Sequence, residues 1–202
     1  MNPSTRELPA RLVLASASPR RRDLLQGLRL AFEVRSPEID ESLLADELPE
    51  DHVLRLARSK ARAVALPGEL VLAADTIVVL DGLILGKPAD PAEAEQMLRQ
   101  LAGRKHEVYS GVALHEHGSS ATVSAAERSE VRIAALSDEE IRWYVSTGEP
   151  LDKAGSYAIQ GLGALFVEAI IGNYTNVVGL PLPLTRSLFQ QLSYDILDFQ
   201  AD

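Results

Sequence analysis

Leu12-Val13-Leu14-Ala15-Ser16-Ala17-Ser18-Pro19-Arg20-Arg21-Arg22 decides the fold. Four apolar residues read as a buried strand, and Leu24, Leu25 and Leu28 continue as the apolar stripe of a helix. Ser18 suits the N-cap, and Pro19 suits the first helical position, where its missing amide hydrogen is not needed. The helix therefore opens with free backbone donors, the positive end of its dipole and three guanidinium groups in one turn. Cations oppose that dipole, so the arrangement is locally unfavourable unless an anion settles there, and an oligophosphate is the natural candidate. At 100° per residue Arg21 projects near the leucine face, Arg20 flanks it and Arg22 points away. Arg20 and Arg21 are thus candidate phosphate ligands, and Arg22 is expected to be solvated. Taken alone, the pattern also describes a surface helix with a basic first turn. It is not a Walker loop, which needs a glycine-rich run ending in Gly-Lys-Ser/Thr.

Working outward, 202 residues suit one α/β unit, residues 1–202, with an N-terminal extension over 1–11 and a core over 12–192. No apolar run approaches the roughly 20 residues needed to span a bilayer, and Met1–Arg11 lacks the apolar centre of a signal peptide. Without cysteine there is no disulfide or thiolate chemistry, which is compatible with the cytoplasm. A net charge of −9 argues against broad nucleic-acid binding. An acidic protein that handles a polyanion needs a local basic pocket, usually helped by a divalent cation.

Further along, Phe32–Arg35 is β-like and precedes an acidic loop through Glu38, Asp40, Glu41, Asp46 and Glu47. A helix is predicted over 51–66. Leu70–Ala74 reads as a strand, followed by a hairpin of Ile77–Leu80 and Leu83–Leu85 around Asp81-Gly82. Pro91 opens a helix ending near Gly103. Strands Val108–His115 and Thr122–Ala135 turn near Gly118, and Asp138–Val145 is a short helix. A glycine-rich stretch from Gly148 to Gly163 leads to the strand Ala164–Ile170, a turn at Gly172-Asn173 and the short apolar piece Val177–Val178. The helix Leu182–Tyr194 closes the chain, with 200–202 frayed.

Three charges sit where charge is costly. In helix 51–66, Val53, Leu56, Ala57, Ala61 and Val64 define the apolar arc, and Lys60 falls inside it, with Arg55, Arg58 and Arg62 opposite. Such a lysine either snorkels to an edge or meets an anion. Asp75 interrupts an apolar run, and a lone carboxylate there needs a partner or a metal. Its expected place is the carboxyl end of a strand, where α/β sheets bind ligands, although an aspartate capping a turn beside Thr76 fits too. Lys87, in Gly86-Lys87-Pro88, sits where glycine allows close backbone approach, or is a plain surface lysine. Asp40 and Glu41 offer oxygen ligands for magnesium or manganese. In the glycine-rich loop, Gln160 could read a nucleobase edge with paired donor and acceptor. His115 and His117 lack a third ligand and read as a solvated edge.

Ser16-Ala17-Ser18-Pro19-Arg20-Arg21, Ala74-Asp75-Thr76, Gly86-Lys87-Pro88, Glu149-Pro150-Leu151-Asp152-Lys153-Ala154-Gly155, Ile159-Gln160-Gly161 and Val178-Gly179-Leu180-Pro181-Leu182 together resemble the Maf family of nucleoside triphosphate pyrophosphatases. The likeness runs from Leu12 to Leu192. It implies an α/β fold like that of inosine triphosphate pyrophosphatases (Maf/Ham), with a central mixed sheet, flanking helices and two lobes around a cleft. It implies hydrolysis of a nucleoside triphosphate to the monophosphate and pyrophosphate with a divalent cation, Mg or Mn. Asp75 matches the proton acceptor, and Glu41 with Asp75 the metal site. Ser16, Arg20, Arg21, Lys60 and Lys87 match the phosphate-handling set. Arg20, Thr76 and Gln160 match the specificity positions of the branch acting on dTTP and UTP, and a neutral glutamine suits a pyrimidine imide. The alternatives are 7-methyl-GTP as substrate, or a non-catalytic nucleotide-binding regulator of septum formation and cell division. A cytoplasmic homodimer without nucleic-acid or membrane partners is the expected setting.

Overall fold

A computed structural model describes residues 11–118 and 122–201. The N-terminal extension therefore lies outside the described residues except for Arg11, which belongs to the first strand. Within the described residues seven strands form one mixed sheet: β1 (Arg11–Ala15), β2 (Glu33–Val34), β3 (Glu69–Leu80), β4 (Leu83–Leu85), β5 (Lys105–Glu116), β6 (Thr122–Ile133) and β7 (Val167–Ile171). The order is β2-β1-β3-β5-β6-β7, with β4 paired to β3. The β1 pairings with β2 and β3 are parallel, and all others are antiparallel. Among the described residues six α-helices accompany the sheet: α1 (Pro19–Gly27), α2 (Pro49–Val64), α3 (Pro91–Leu101), α4 (Asp138–Ser146), α5 (Tyr174–Val178) and α6 (Leu182–Gln191).

Alternation along the strands sends side chains to opposite faces. Leu12, Leu14, Leu70 and Leu72 pack with Leu25, Leu188 and Phe189 of α1 and α6. Val13, Ala15, Val71, Ala73 and Ala113 meet Ala57 and Ala61 of α2 on the other face. Small residues on that second face let α2 approach closely. An added Cβ at Gly111 of β5 would stand 2.4 Å from the carbonyl oxygen of Val53.

The leucine face is divided. Ala74 and Val112 belong to the α1/α6 cluster, whereas Val78 and Val108, two alternations further on, belong to a second cluster with Leu98, Leu101, Ile141 and Tyr144 of α3 and α4. Between them lie Thr76 and Ser110, hydrogen-bonded at 2.8 Å. This polar seam separates the two apolar clusters on that face.

Several expectations need correction. Leu70–Ala74 and Ile77–Leu80 are parts of one strand, because Asp75 and Thr76 pair in register with Gly111 and Ser110. Residues 162–166 form a 3₁₀ turn before β7. Val177 and Val178 close the helix α5, whose N-cap Asn173 accepts the amides of Thr175 and Asn176.

Candidate active site

The site is a gap in the pairing of one strand edge. β5 covers one edge of β3 from Leu70 to Val79. On the other edge β1 pairs with Glu69–Ala73 and β4 with Val78, Val79 and Leu80. Among the described residues no strand pairs with 74–77 on that side. Asp75 and Thr76 point to opposite faces, yet both line one cavity of about 310 Å³, since nothing closes the edge between them. Asp75 is therefore not at the end of its own strand. It lies just past the end of β1, whose last residue pairs with Ala73.

From β1 the chain enters the cavity wall through Ser16, Ser18, Arg20 and Arg21. Ser18 occupies the N-cap position of α1 without a capping side-chain bond. Ser16, 4% exposed, instead accepts the Ser18 amide at 3.2 Å and the Arg21 Nη1 at 3.3 Å. Arg21 also donates from Nε to the Gly179 carbonyl at 2.8 Å and from Nη2 to Thr76 Oγ1 at 3.0 Å. One guanidinium thus ties α1, β3 and the turn after α5 across the polar seam. Burial pushes its pKa down, and the Asp75 carboxylate opposes that shift. Arg22 is exposed, as its wheel position predicts.

Lys60 resolves the anomaly of the apolar stripe by meeting anions. Its side chain is 8% exposed, and its Nζ lies 2.6 Å from Asp75 Oδ1 and 2.7 Å from Glu41 Oε1. The α2 arginines lie away from the apolar arc as expected, with Arg58 and Arg62 exposed and Arg55 half-buried. Arg55 binds Glu47, and Arg58 donates to Ser124 Oγ at 2.7 Å, because the loop before α2 and strand β6 both reach that side.

The opposite lip is built by Lys87 and the glycine-rich stretch. The Gly155 amide donates to the Gly86 carbonyl at 3.0 Å. An added Cβ at Gly155, whose φ is +67°, would meet Val78 Cγ1 at 2.9 Å. Asp152, Lys153, Tyr157, Ala158 and Ile159 continue the wall. Asp152 and Lys153 form an ion pair. Neither is among the sequence candidates for the site, although both fall within the motif Glu149–Gly155. Gln160 is not brought to the cavity: it is exposed, and the lining ends at Ile159. Beyond it Glu149 accepts the Leu162 and Gly163 amides at 3.0 and 2.9 Å and the Tyr144 hydroxyl at 2.8 Å. This clamp sets where the loop turns. His115 is half-buried on the central strand β5, with Nδ1 2.9 Å from Thr122 Oγ1.

Of the nine sequence candidates, Ser16, Arg20, Arg21, Glu41, Lys60, Asp75, Thr76 and Lys87 converge on one cavity, and Gln160 stays outside. Four of these candidates are cations and two, Glu41 and Asp75, are carboxylates, at a gap in a sheet, and Asp152 and Lys153 add one of each to the lining. Such a cavity can neutralise an oligophosphate while holding a carboxylate close to it. Among the described residues no group of three or more histidines and carboxylates forms a metal cage. Two carboxylates still suit a hard cation that takes its remaining ligands from phosphates and water, as magnesium does.

The family model described as Maf-like protein matches residues 11–192. A dTTP/UTP pyrophosphatase of Anaeromyxobacter dehalogenans (strain 2CP-C) is 55% identical over 188 residues, covering 92% of this chain and 96% of its own length. The one from Symbiobacterium thermophilum is 54% identical over 187 residues, with 92% and 95% covered. That of Myxococcus xanthus is 52% identical over 185 residues, with 89% and 91% covered. The Ham1 protein of Staphylococcus aureus superposes with a TM-score of 0.49 at 15% identity, over 90% of this chain and 98% of its own. By its matched span and these identities, the chain belongs to the Maf-like protein family.

Proposed function

We propose that this protein is a nucleoside triphosphate pyrophosphatase that converts dTTP and UTP to their monophosphates and pyrophosphate. The observation that carries the reading is the buried Lys60 ammonium held between Asp75 and Glu41 in a cavity shared with Arg20, Arg21 and Lys87. The names of the relatives supply the pyrimidine substrates. Ser16, Arg20, Arg21, Lys60 and Lys87 bind the triphosphate, partly neutralising it at the start of α1. Water attacks the α-phosphorus, a new P–O bond forms, and the bond to the α,β-bridging oxygen breaks. Asp75 takes the water's proton, and pyrophosphate leaves with the electron pair. Glu41 and Asp75 would hold a divalent cation, which supplies Lewis-acid polarisation when bound. Thr76 shapes the base end of the site together with Arg20, while Gln160 would have to reach in from outside. The cytoplasm, where nucleoside triphosphates are abundant, fits this substrate. Among the described residues no helix is long and apolar enough to cross a membrane.

The test is a pyrophosphate-release panel over dTTP, UTP, other canonical triphosphates and 7-methyl-GTP. Preference for dTTP and UTP, with a loss of about 10²–10⁴ in kcat for Asp75→Asn, is expected. Preference for 7-methyl-GTP would replace the substrate. Wild-type turnover by Asp75→Asn at saturating magnesium would remove Asp75 as the base, and binding without turnover in the native protein would favour a regulator.

A further inference from the structure

Glu41 poses a problem of placement. Residues 35–48 contain no helix or strand, and the Glu41 side chain is 56% exposed, yet its carboxylate meets Lys60 at 2.7 Å. A flexible acidic loop would hold that contact at a substantial cost in conformational entropy. The loop is instead fastened to α2 by a second, buried polar cluster. The Glu47 side chain is 7% exposed and takes the Arg55 guanidinium on both oxygens, at 2.5 and 2.7 Å. It also accepts the Leu44 amide at 3.2 Å, and His52 Nδ1 lies 2.8 Å away. The same Arg55 Nη2 donates to the Ser42 carbonyl at 2.9 Å, one residue from Glu41. On the other side of Glu41, Asp40 Oδ1 accepts the Ser42 amide at 2.9 Å. Arg55 and Lys60 belong to one helix, so α2 grips the loop at one point and receives its carboxylate five residues on.

We propose that Glu47 and Arg55 are positioning residues of the active site: their bidentate pair, through the Ser42 carbonyl, sets the Glu41 carboxylate beside Asp75 and thereby prepares the cation site. Neither Glu47 nor Arg55 lines the cavity. A bidentate arginine–carboxylate contact is directional as well as strong, which suits it to fix a loop. Outer partners of this kind typically change metal affinity by about 10–100-fold when removed. The inference rests on the reading of Glu41 as a cation ligand.

The experiment compares wild type, Glu47→Gln, Arg55→Met and Glu41→Gln, all as the full chain. Mn²⁺ binding is followed by electron paramagnetic resonance with a non-hydrolysable α,β-imido analogue of dTTP present, and amide hydrogen exchange is recorded over 38–48 and α2. Glu47→Gln and Arg55→Met should each weaken Mn²⁺ binding about tenfold, and should speed exchange at 41–44 while α2 stays protected. Glu47→Gln keeps size and one acceptor, so it serves where Arg55→Met does not fold. Mn²⁺ affinity within twofold of wild type in Glu47→Gln, with Glu41→Gln clearly weakened, overturns the positioning role alone. Equal loosening of α2 and the loop also overturns it, since the pair would then be stabilising the helix. Normal Mn²⁺ binding by Glu41→Gln removes the cation-ligand reading and this inference with it.

Discussion

Replacing Gly111 by alanine tests how the site is assembled without touching any charged group. The added Cβ would lie 2.4 Å from the Val53 carbonyl oxygen, 2.5 Å from its carbon and 2.8 Å from the Leu54 nitrogen. All three are backbone atoms of α2, so no side chain can turn aside. Restoring an ordinary contact near 3.4 Å requires α2 to retreat by about 1 Å. Overpacking of this kind costs about 1–3 kcal/mol, or a fall in Tm of roughly 2–12 °C for a chain of this size. Gly111 pairs in register with Asp75, and α2 carries Lys60, so the retreat also draws the ammonium from the carboxylate. A 1 Å misplacement can cost about 10² in rate. Pyrophosphate release and a thermal melt on Gly111→Ala should therefore show both losses, larger in kcat than in KM. Gly27→Ala is the control, because a methyl there meets nothing within 4 Å. Wild-type kcat and an unchanged Tm in Gly111→Ala would refute the close approach of α2 as the device that delivers Lys60.

Other perturbations address the walls. Burial lowers the His106 pKa from 6.5 to about 4. The unfolded chain thus binds the extra proton first, and its stabilisation, complete above pH 6.5, is lost as pH falls toward 4, by about 3 kcal/mol in all. Urea midpoints across pH 4–7 should fall more steeply in wild type than in His106→Gln, and parallel slopes would exclude the assignment. The Tyr144 hydroxyl donates to Glu149 Oε1 and accepts the Ala158 amide at 3.0 Å. Tyr144→Phe leaves that buried amide without its partner at about 1–3 kcal/mol. Because Ala158 and Ile159 line the cavity, KM for dTTP should rise more than kcat falls, and steady-state kinetics with unchanged KM would contradict this.

Much of the site is legible in the chain because burying a charge is costly, and a charge in an apolar pattern therefore advertises a partner. Lys60 is the clearest instance: its wheel position requires an anion or an edge, and the structure supplies two anions. The same logic is less diagnostic for Asp75 than it looks. Glu69 opens the same strand, is equally buried, and is held by Arg35 at 2.9 and 3.0 Å and by the Leu66 amide, and neither Glu69 nor Arg35 lines the cavity. What distinguishes Asp75 is the unpaired stretch of strand edge beside it, and pairing between β1, β4 and β3 is set by tertiary contacts that local patterns do not encode. For the same reason β3 reads as two strands: an acid and a threonine break the apolar run, while register with β5 carries the ladder through them. Gln160 is misplaced by sequence because the Glu149 clamp, acting from 11 residues upstream, decides where the loop turns.

The charges of this site also constrain how its central experiment must be read. Lys60 is buried in an apolar stripe, so Asp75 serves two ends: it faces the reacting phosphate in the proposed mechanism and it compensates the ammonium. Removing one partner of a buried pair typically destabilises by about 3–5 kcal/mol, and here the half-exposed Glu41 retains part of that compensation. A drop in activity for Asp75→Asn is therefore evidence for a proton acceptor only where the folded fraction is unchanged at the assay temperature. Lys60→Met supplies the comparison, since it removes the ammonium and leaves the carboxylate in place. If both variants lose rate in proportion to folded protein, Asp75 is a structural counter-ion. If Asp75→Asn loses far more turnover than Lys60→Met at equal foldedness, the carboxylate acts on the reaction itself.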